Sequence, residues 1–448
     1  MSKLLRILIG LVVLGVVALL AIIFVPPQLT KPVQALPADW KPAPGQGEYA
    51  ARMADCAACH TAPGGKLLAG GRAIESPMGT IWASNITPDK QDGIGNWTLD
   101  QFRAALVDGV GPGGVHLYPA MPYENYRKLS EQDIRAIYSY LMTEVPAVAN
   151  KVPETKLSFP FNQRWGIRLW NWAVLGKPGF EPKPEKIAAS AQLARGAYLV
   201  EGPGHCAACH SPRTVIMSED GTDPTSPAFL TGGTIGGWSA PDLRTAHSAL
   251  QDWSDADLKA YLISGRNSHT AVAGEMTLVV GDSLQYMTDD DANAMVAFLC
   301  AISDVPPKAL PAPTAAMLRG SLGDRLAAAT GTTTDKLKSA KGLSDGERLY
   351  LDNCNACHMV DGRGADGVFP SLVGNSIVTA PQSTGLIDVI LHGAEMPSTA
   401  TRPEKLRMPA FASRLFDADV AALTTFLRSA WGNSAPAVKP DAVAAQRH

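Results

Sequence analysis

The pattern Cys-x-x-Cys-His occurs three times in this chain and takes six of its seven cysteines. The copies are Cys56-Ala-Ala-Cys59-His60, Cys206-Ala-Ala-Cys209-His210 and Cys354-Asn-Ala-Cys357-His358. Their first cysteines stand 150 and 148 residues apart. This is the spacing of c-type haem attachment, in which two thiols add across the porphyrin vinyl groups and the adjacent histidine reaches the iron. A structural zinc site needs four ligands drawn together, whereas here each pair is remote in sequence from the next. A thiol redox motif does not require a histidine after every second cysteine. Three covalent haems c are therefore expected, on Cys56, Cys59, Cys206, Cys209, Cys354 and Cys357, with His60, His210 and His358 as axial ligands. Cys300, at the end of the apolar run Met295-Val-Ala-Phe-Leu-Cys300, reads as a buried, inert thiol.

With 448 residues, the chain has room for about three domains. Charged residues make up 18% and the net charge is −3, so no basic stripe suggests a nucleic-acid partner. Residues Ile7 to Val25 are all apolar or glycine, follow Lys3 and Arg6, and end at Pro26-Pro27. Such a run can cross a bilayer as one helix. The preceding positive charge places the N-terminus in the cytoplasm and the rest outside. A cleaved signal peptide is the rival, but its cleavage site should lie close behind a shorter apolar region, and Val33-Gln34-Ala35 is distant and poor. Residues 1–30 are accordingly expected to anchor the chain in the inner membrane, with the remainder in the periplasm.

Each third repeats one order of signals. A helix leads into the cysteine motif, and the third copy opens with the capping box Ser344-x-x-Glu347. A second helix, starting at Thr98-x-x-Gln101 in the first third and Ser254-x-x-Asp257 in the second, ends at Gly109, Gly265 or Gly393, where glycine accepts the left-handed conformation. A methionine-bearing loop follows, and a last amphipathic helix begins at Ser130, Thr288 or Asp417. No convincing strands are visible. The expected fold is all-α, an N-terminal transmembrane helix followed by three class I cytochrome c-like domains at 41–150, 186–303 and 341–432. Between them lie an aromatic linker (151–185) and a second linker (304–340) with a stiff proline-rich stretch at 305–313. The tail, 433–448, reads as poorly ordered. In the aromatic linker Phe161, Trp165, Leu169 and Trp172 share one helical face, suited either to packing on the linker's own haem domain or to docking a partner or the membrane.

Haem iron in cytochromes c commonly takes histidine on one side and methionine on the other. Met121 lies 12 residues after Gly109 and 9 before Ser130, and Met408 lies 15 after Gly393 and 9 before Asp417. In the middle third, Met276 sits in the loop 11 residues after Gly265, while Met287 abuts the helix start. Met121, Met276 and Met408 are the expected ligands. His116 and His205 are the alternatives for bis-histidine ligation, but a better-placed methionine exists in both domains.

The stretches Asp55-Cys-Ala-Ala-Cys-His-Thr-Ala-Pro-Gly-Gly65, Ser84-Asn-Ile-Thr-Pro-Asp89, Leu117-Tyr-Pro-Ala-Met-Pro-Tyr123 and Gly237-Trp-Ser-Ala-Pro-Asp242 carry a family likeness. From about residue 45 to 430 the chain resembles the three-haem cytochrome c subunits of membrane-bound periplasmic dehydrogenases, the alcohol, aldehyde and gluconate oxidising systems of acetic acid bacteria. That resemblance implies an electron-transfer subunit. It takes electrons from a catalytic large subunit of molybdopterin, pyrroloquinoline quinone (PQQ) or flavin type, in some branches with an iron–sulfur small subunit, and delivers them to ubiquinone. Members often have a cleaved leader, so the retained helix points to the aldehyde branch. The chain itself is not expected to oxidise the substrate. A different class, a peroxidase-like catalytic multihaem oxidoreductase, would need an open iron.

Overall fold

The computed structural model describes residues 3–246, 248, 250, 253–304 and 322–447. The proline-rich stretch at 305–313 lies outside them. The chain divides into two compact units. One comprises Met1–Glu181, Glu201–His205 and Val215–Ser218, and the other comprises Pro182–Val200, Cys206–Thr214 and Glu219–His448.

In the first unit, α1 (Lys3–Phe24) is a 22-residue helix whose most apolar 18 residues have a mean hydropathy of 3.3, and it has no buried residue. Then come α2 (Gln46–Met53), the short helix Cys56–His60, α3 (Leu99–Asp108), α4 (Glu131–Thr143) and, in the aromatic linker, α5 (Trp165–Val174). The capping box at Thr98 forms as the sequence predicts, with Gln101 N donating to Thr98 Oγ1 and Thr98 N to Gln101 Oε1. Gly109 ends α3 at φ 61°. The apolar stripe of α4, Ile134, Ile137 and Leu141, is buried with Phe102 and Leu106 of α3 and Ala50 and Ala51 of α2. A buried ion pair braces the α3–α4 contact, Arg103 forking onto both oxygens of Glu131 at 2.6 and 2.8 Å.

The second unit repeats this order twice. The first set is α6 (Ala191–Glu201, its last residue counted with the first unit), α7 (Asp255–Ser264) and α8 (Asp289–Ile302). The second set is α9 (Asp345–Asn353), α10 (Thr384–His392) and α11 (Asp417–Ser429). Full capping boxes open α7 at Ser254 and α9 at Ser344. One feature of all three repeats was not read from sequence. The helix entering each cysteine motif crosses the last helix of its repeat at a glycine. A β-carbon on Gly47 would lie 2.4 Å from Ala136 O, on Gly196 2.0 Å from Ala294 O, and on Gly346 2.4 Å from Ala422 O. The residue four further on, Tyr140, Phe298 or Phe426, meets the same glycine through its Cβ. Backbones this close admit no side chain.

The all-α expectation needs correction. Among the described residues three antiparallel pairs are present: β1 (Ala73–Ile74) with β2 (Ile81–Trp82), β3 (Gly233–Ile235) with β4 (Trp238–Ala240), and β5 (Ala394–Glu395) with β6 (Arg407–Met408). Strands of two or three residues are too short to show the alternation by which strands are read. The tail also differs from expectation. A short helix, α12 (Pro440–Ala444), buries Val443 in the third core, and Arg447 pairs with Asp417 at 2.7 Å. Part of the second linker is likewise built in, Leu337 being buried in that core. Cys300 is half-buried and donates weakly to Asp255 at 3.5 Å, not fully enclosed as expected.

Candidate haem-binding sites

Each cysteine motif sits on a single helical turn: Cys56–His60, Ala207–His210 and Asn355–His358. A turn of helix brings both thiols and the imidazole into one neighbourhood. Cys354 is buried, and the other five are half-buried. Burial pushes the thiols of Cys56, Cys206 and Cys354 up to about 12, with neighbouring charges adding to the effect.

The histidines are set alike in all three copies. His60 Nδ1 meets Ser84 O at 2.7 Å, His210 Nδ1 meets Pro241 O at 2.8 Å, and His358 Nδ1 meets Pro370 O at 3.0 Å. A carbonyl can only accept, so Nδ1 carries the hydrogen and Nε2 keeps its lone pair. A carbonyl partner of this kind orients a metal-binding imidazole and fixes its tautomer. Burial lowers the pKa of all three rings, and the carbonyl hydrogen bond only partly offsets it, so they stand neutral, as a ligand must. The histidine carbonyls are held too, accepting from Gly70 N, Gly232 N and Gly364 N at 2.7 to 3.1 Å.

Sequence reasoning missed these carbonyl partners, although a signal was present. The residue after each acceptor is Asn85, Asp242 or Ser371. Its side chain accepts from the backbone N–H two residues on, at Thr87, Arg244 or Val373. These small turns aim the preceding carbonyl at the histidine.

The expected methionines fall in three different settings. Met121 is half-buried, packs against the first core as Cys56 does, and sends its carbonyl to Tyr123 N. Met408 lies on β6 opposite Ala394 and packs against the third core. Met276 lies on a short helix, Met276–Leu278, that runs on into a wider turn at Val279–Ser283, where sequence suggested a loop. His205 is half-buried and edge-on to Tyr126, with its pKa lowered to about 4 by desolvation. His116 is buried, and no hydrogen-bond partner reaches its Nδ1. Among the described residues, no group of three or more His, Cys, Asp or Glu side chains converges as a metal-ion cage would require.

Two cysteines and a carbonyl-locked, neutral histidine on one helical turn make up the donor set of haem c, and these residues fit that group. The cytochrome c family model matches residues 43–144 and 343–431, so this is a cytochrome c, an electron carrier with covalently bound haem. The chain is 41% identical over 397 residues to the cytochrome c subunit of alcohol dehydrogenase (quinone) from Gluconobacter oxydans, covering 87% of this chain and 79% of that protein. It is 38% identical to the gluconate 2-dehydrogenase cytochrome c subunit of Pantoea cypripedii, with 88% and 86% covered. It is also 38% identical to the fructose dehydrogenase cytochrome subunit of Gluconobacter japonicus, with 92% and 84% covered. The chain belongs to this family of dehydrogenase cytochrome c subunits, and it transfers electrons as part of an oxidoreductase complex with a catalytic partner subunit.

Proposed function

We propose that this chain carries three haems c in domains at 41–150, 186–303 and 341–432. Each would be closed by histidine and methionine: His60 with Met121, His210 with Met276, and His358 with Met408. The reading rests on the threefold recurrence of one histidine setting, with Nδ1 on a carbonyl and Nε2 free. Haem supplies one-electron transfer, and an iron filled on both sides favours relay over chemistry at the metal.

In this reading the chain receives electrons from a catalytic dehydrogenase subunit in the periplasm and passes them to ubiquinone in the inner membrane, where α1 is retained as an anchor. A link within the second unit supports relay between its two sites. Pro370 accepts from His358, and the next residue, Ser371, donates its N–H to His269 O at 3.2 Å. Asn375 Nδ2 adds a bond to Thr270 Oγ1 at 2.9 Å.

The retained helix favours an aldehyde-oxidising partner. The three relatives described above, named for alcohol, gluconate and fructose dehydrogenases, favour a hydroxyl-oxidising one. The test is to purify the native complex. Three haem equivalents per chain, and quinol formed when substrate is supplied, are expected. Fewer than three, or no quinol, would overturn the reading. The co-purifying large subunit separates the branches: molybdopterin, with an iron–sulfur small subunit, for aldehyde, PQQ for alcohol, and flavin for gluconate-type substrates.

A further inference from the structure

Helix α5 is amphipathic in an unusual sense, because both of its faces carry apolar bulk. One face is used. Ile167 is buried, Asn171 bonds Tyr123 Oη at 3.0 Å and Asp108 O at 3.0 Å, and Trp170 packs edge-on against Tyr123. The other face is open to solvent, with Leu169 42% and Trp172 62% exposed. Trp170 Nε1 donates to Ile216 O at 2.8 Å, bringing up a second apolar element, Val215, Ile216 and Met217, exposed by 101%, 48% and 52%. Three consecutive exposed apolar residues beside an exposed tryptophan form a patch that water does not favour, and such patches mark interaction surfaces.

What covers it is indicated by α1. Arg168, on the buried side of α5, donates from Nη1 to Ile22 O at 3.0 Å and to Val25 O. The guanidinium thus caps the free carbonyls at the C-terminal end of the apolar helix, the position a cation favours. A 22-residue helix is about 33 Å long, close to the ~30 Å hydrocarbon core. Its end, where Arg168 grips it, therefore marks the outer edge of the lipid. Tryptophan is enriched at that depth.

We propose that the outward face of α5 and the segment 215–217 rest in the lipid interface of the outer leaflet, as a second membrane contact beside the anchor. This rests on the reading of α1 as a retained span. The contact would hold the first haem domain at the lipid surface, because Arg164, one turn before Arg168, stacks over Tyr118 at 4.2 Å and bonds His116 O at 2.8 Å, in the loop that leads to Met121.

The test uses the full-length haem-loaded chain in phosphatidylethanolamine–phosphatidylglycerol vesicles. They contain a trace of phosphatidylcholine with a photoreactive diazirine beside its glycerol. After illumination, lipid adducts are mapped by mass spectrometry. Adducts are expected on 165–174 and 215–217 as well as near the end of α1. Trp172→Asp combined with Ile216→Asp should remove the first two while leaving the α1 adducts and the haem spectrum unchanged. Adducts on α1 alone would overturn the contact while sparing the anchor. No adduct on α1 would overturn the anchor, and the contact with it. If adducts on α5 and 215–217 vanish once the catalytic subunit is bound, the patch belongs to that protein and the lipid assignment is wrong.

Discussion

At the scale of single residues, the chemistry rests on groups whose protonation the fold decides. The three imidazoles proposed as haem ligands are neutral and oriented by carbonyls, so the methionine proposed opposite each is the remaining variable. Replacing Met121, Met276 or Met408 with alanine should each remove one low-spin His/Met signal from the electron paramagnetic resonance spectrum of the ferric protein. An unchanged spectrum would refute that assignment. Charge networks offer a second test. Burial alone would raise the Glu347 carboxyl, but Lys336 at 2.6 Å and Ser344 outweigh it and hold it below 4.5. A depressed carboxyl stabilises the fold above its ordinary pKa, and that contribution disappears as pH falls through the lower folded value. Lys336→Met should therefore lower stability at pH 7 and flatten the acid limb of the stability curve. In the first domain, Arg103→Met would leave Glu131 buried with only Arg135, at 2.9 Å. A loss of about 3 kcal/mol in denaturant unfolding is expected, the low end for breaking a buried pair because one partner stays.

At the scale of elements, helix starts were readable in advance because their caps are local. Thr98, Ser254 and Ser344 each form the box that three-residue spacing predicts. The glycine crossings were not readable, since Gly47, Gly196 and Gly346 look like ordinary interior glycines until the partner backbone is in place. Gly196→Val should force apart α6 and α8, where a β-carbon already meets Ala294 O at 2.0 Å. One haem equivalent should be lost in a pyridine haemochrome assay. Gly166→Ala, with nothing within 4 Å, should leave the count intact. The same logic explains Met276. Its spacing from Gly265 marked it out, but the helical turn that carries it depends on packing around Val280 and Leu284, both buried.

For the whole molecule, the decisive question is relay against catalysis. The ferrous native chain should not bind carbon monoxide rapidly. A fast CO difference spectrum from an undamaged haem would favour a catalytic multihaem oxidoreductase. Cofactor class, the proposed sites of attachment and the apolar N-terminal helix are legible in the sequence alone, because covalent attachment and hydrophobic length are properties of contiguous residues. Tertiary structure decided which carbonyl holds each histidine, where backbones touch, and which face of α5 is left bare. Those depend on residues tens of positions apart, and only the closing of each domain brings them within a hydrogen bond of one another.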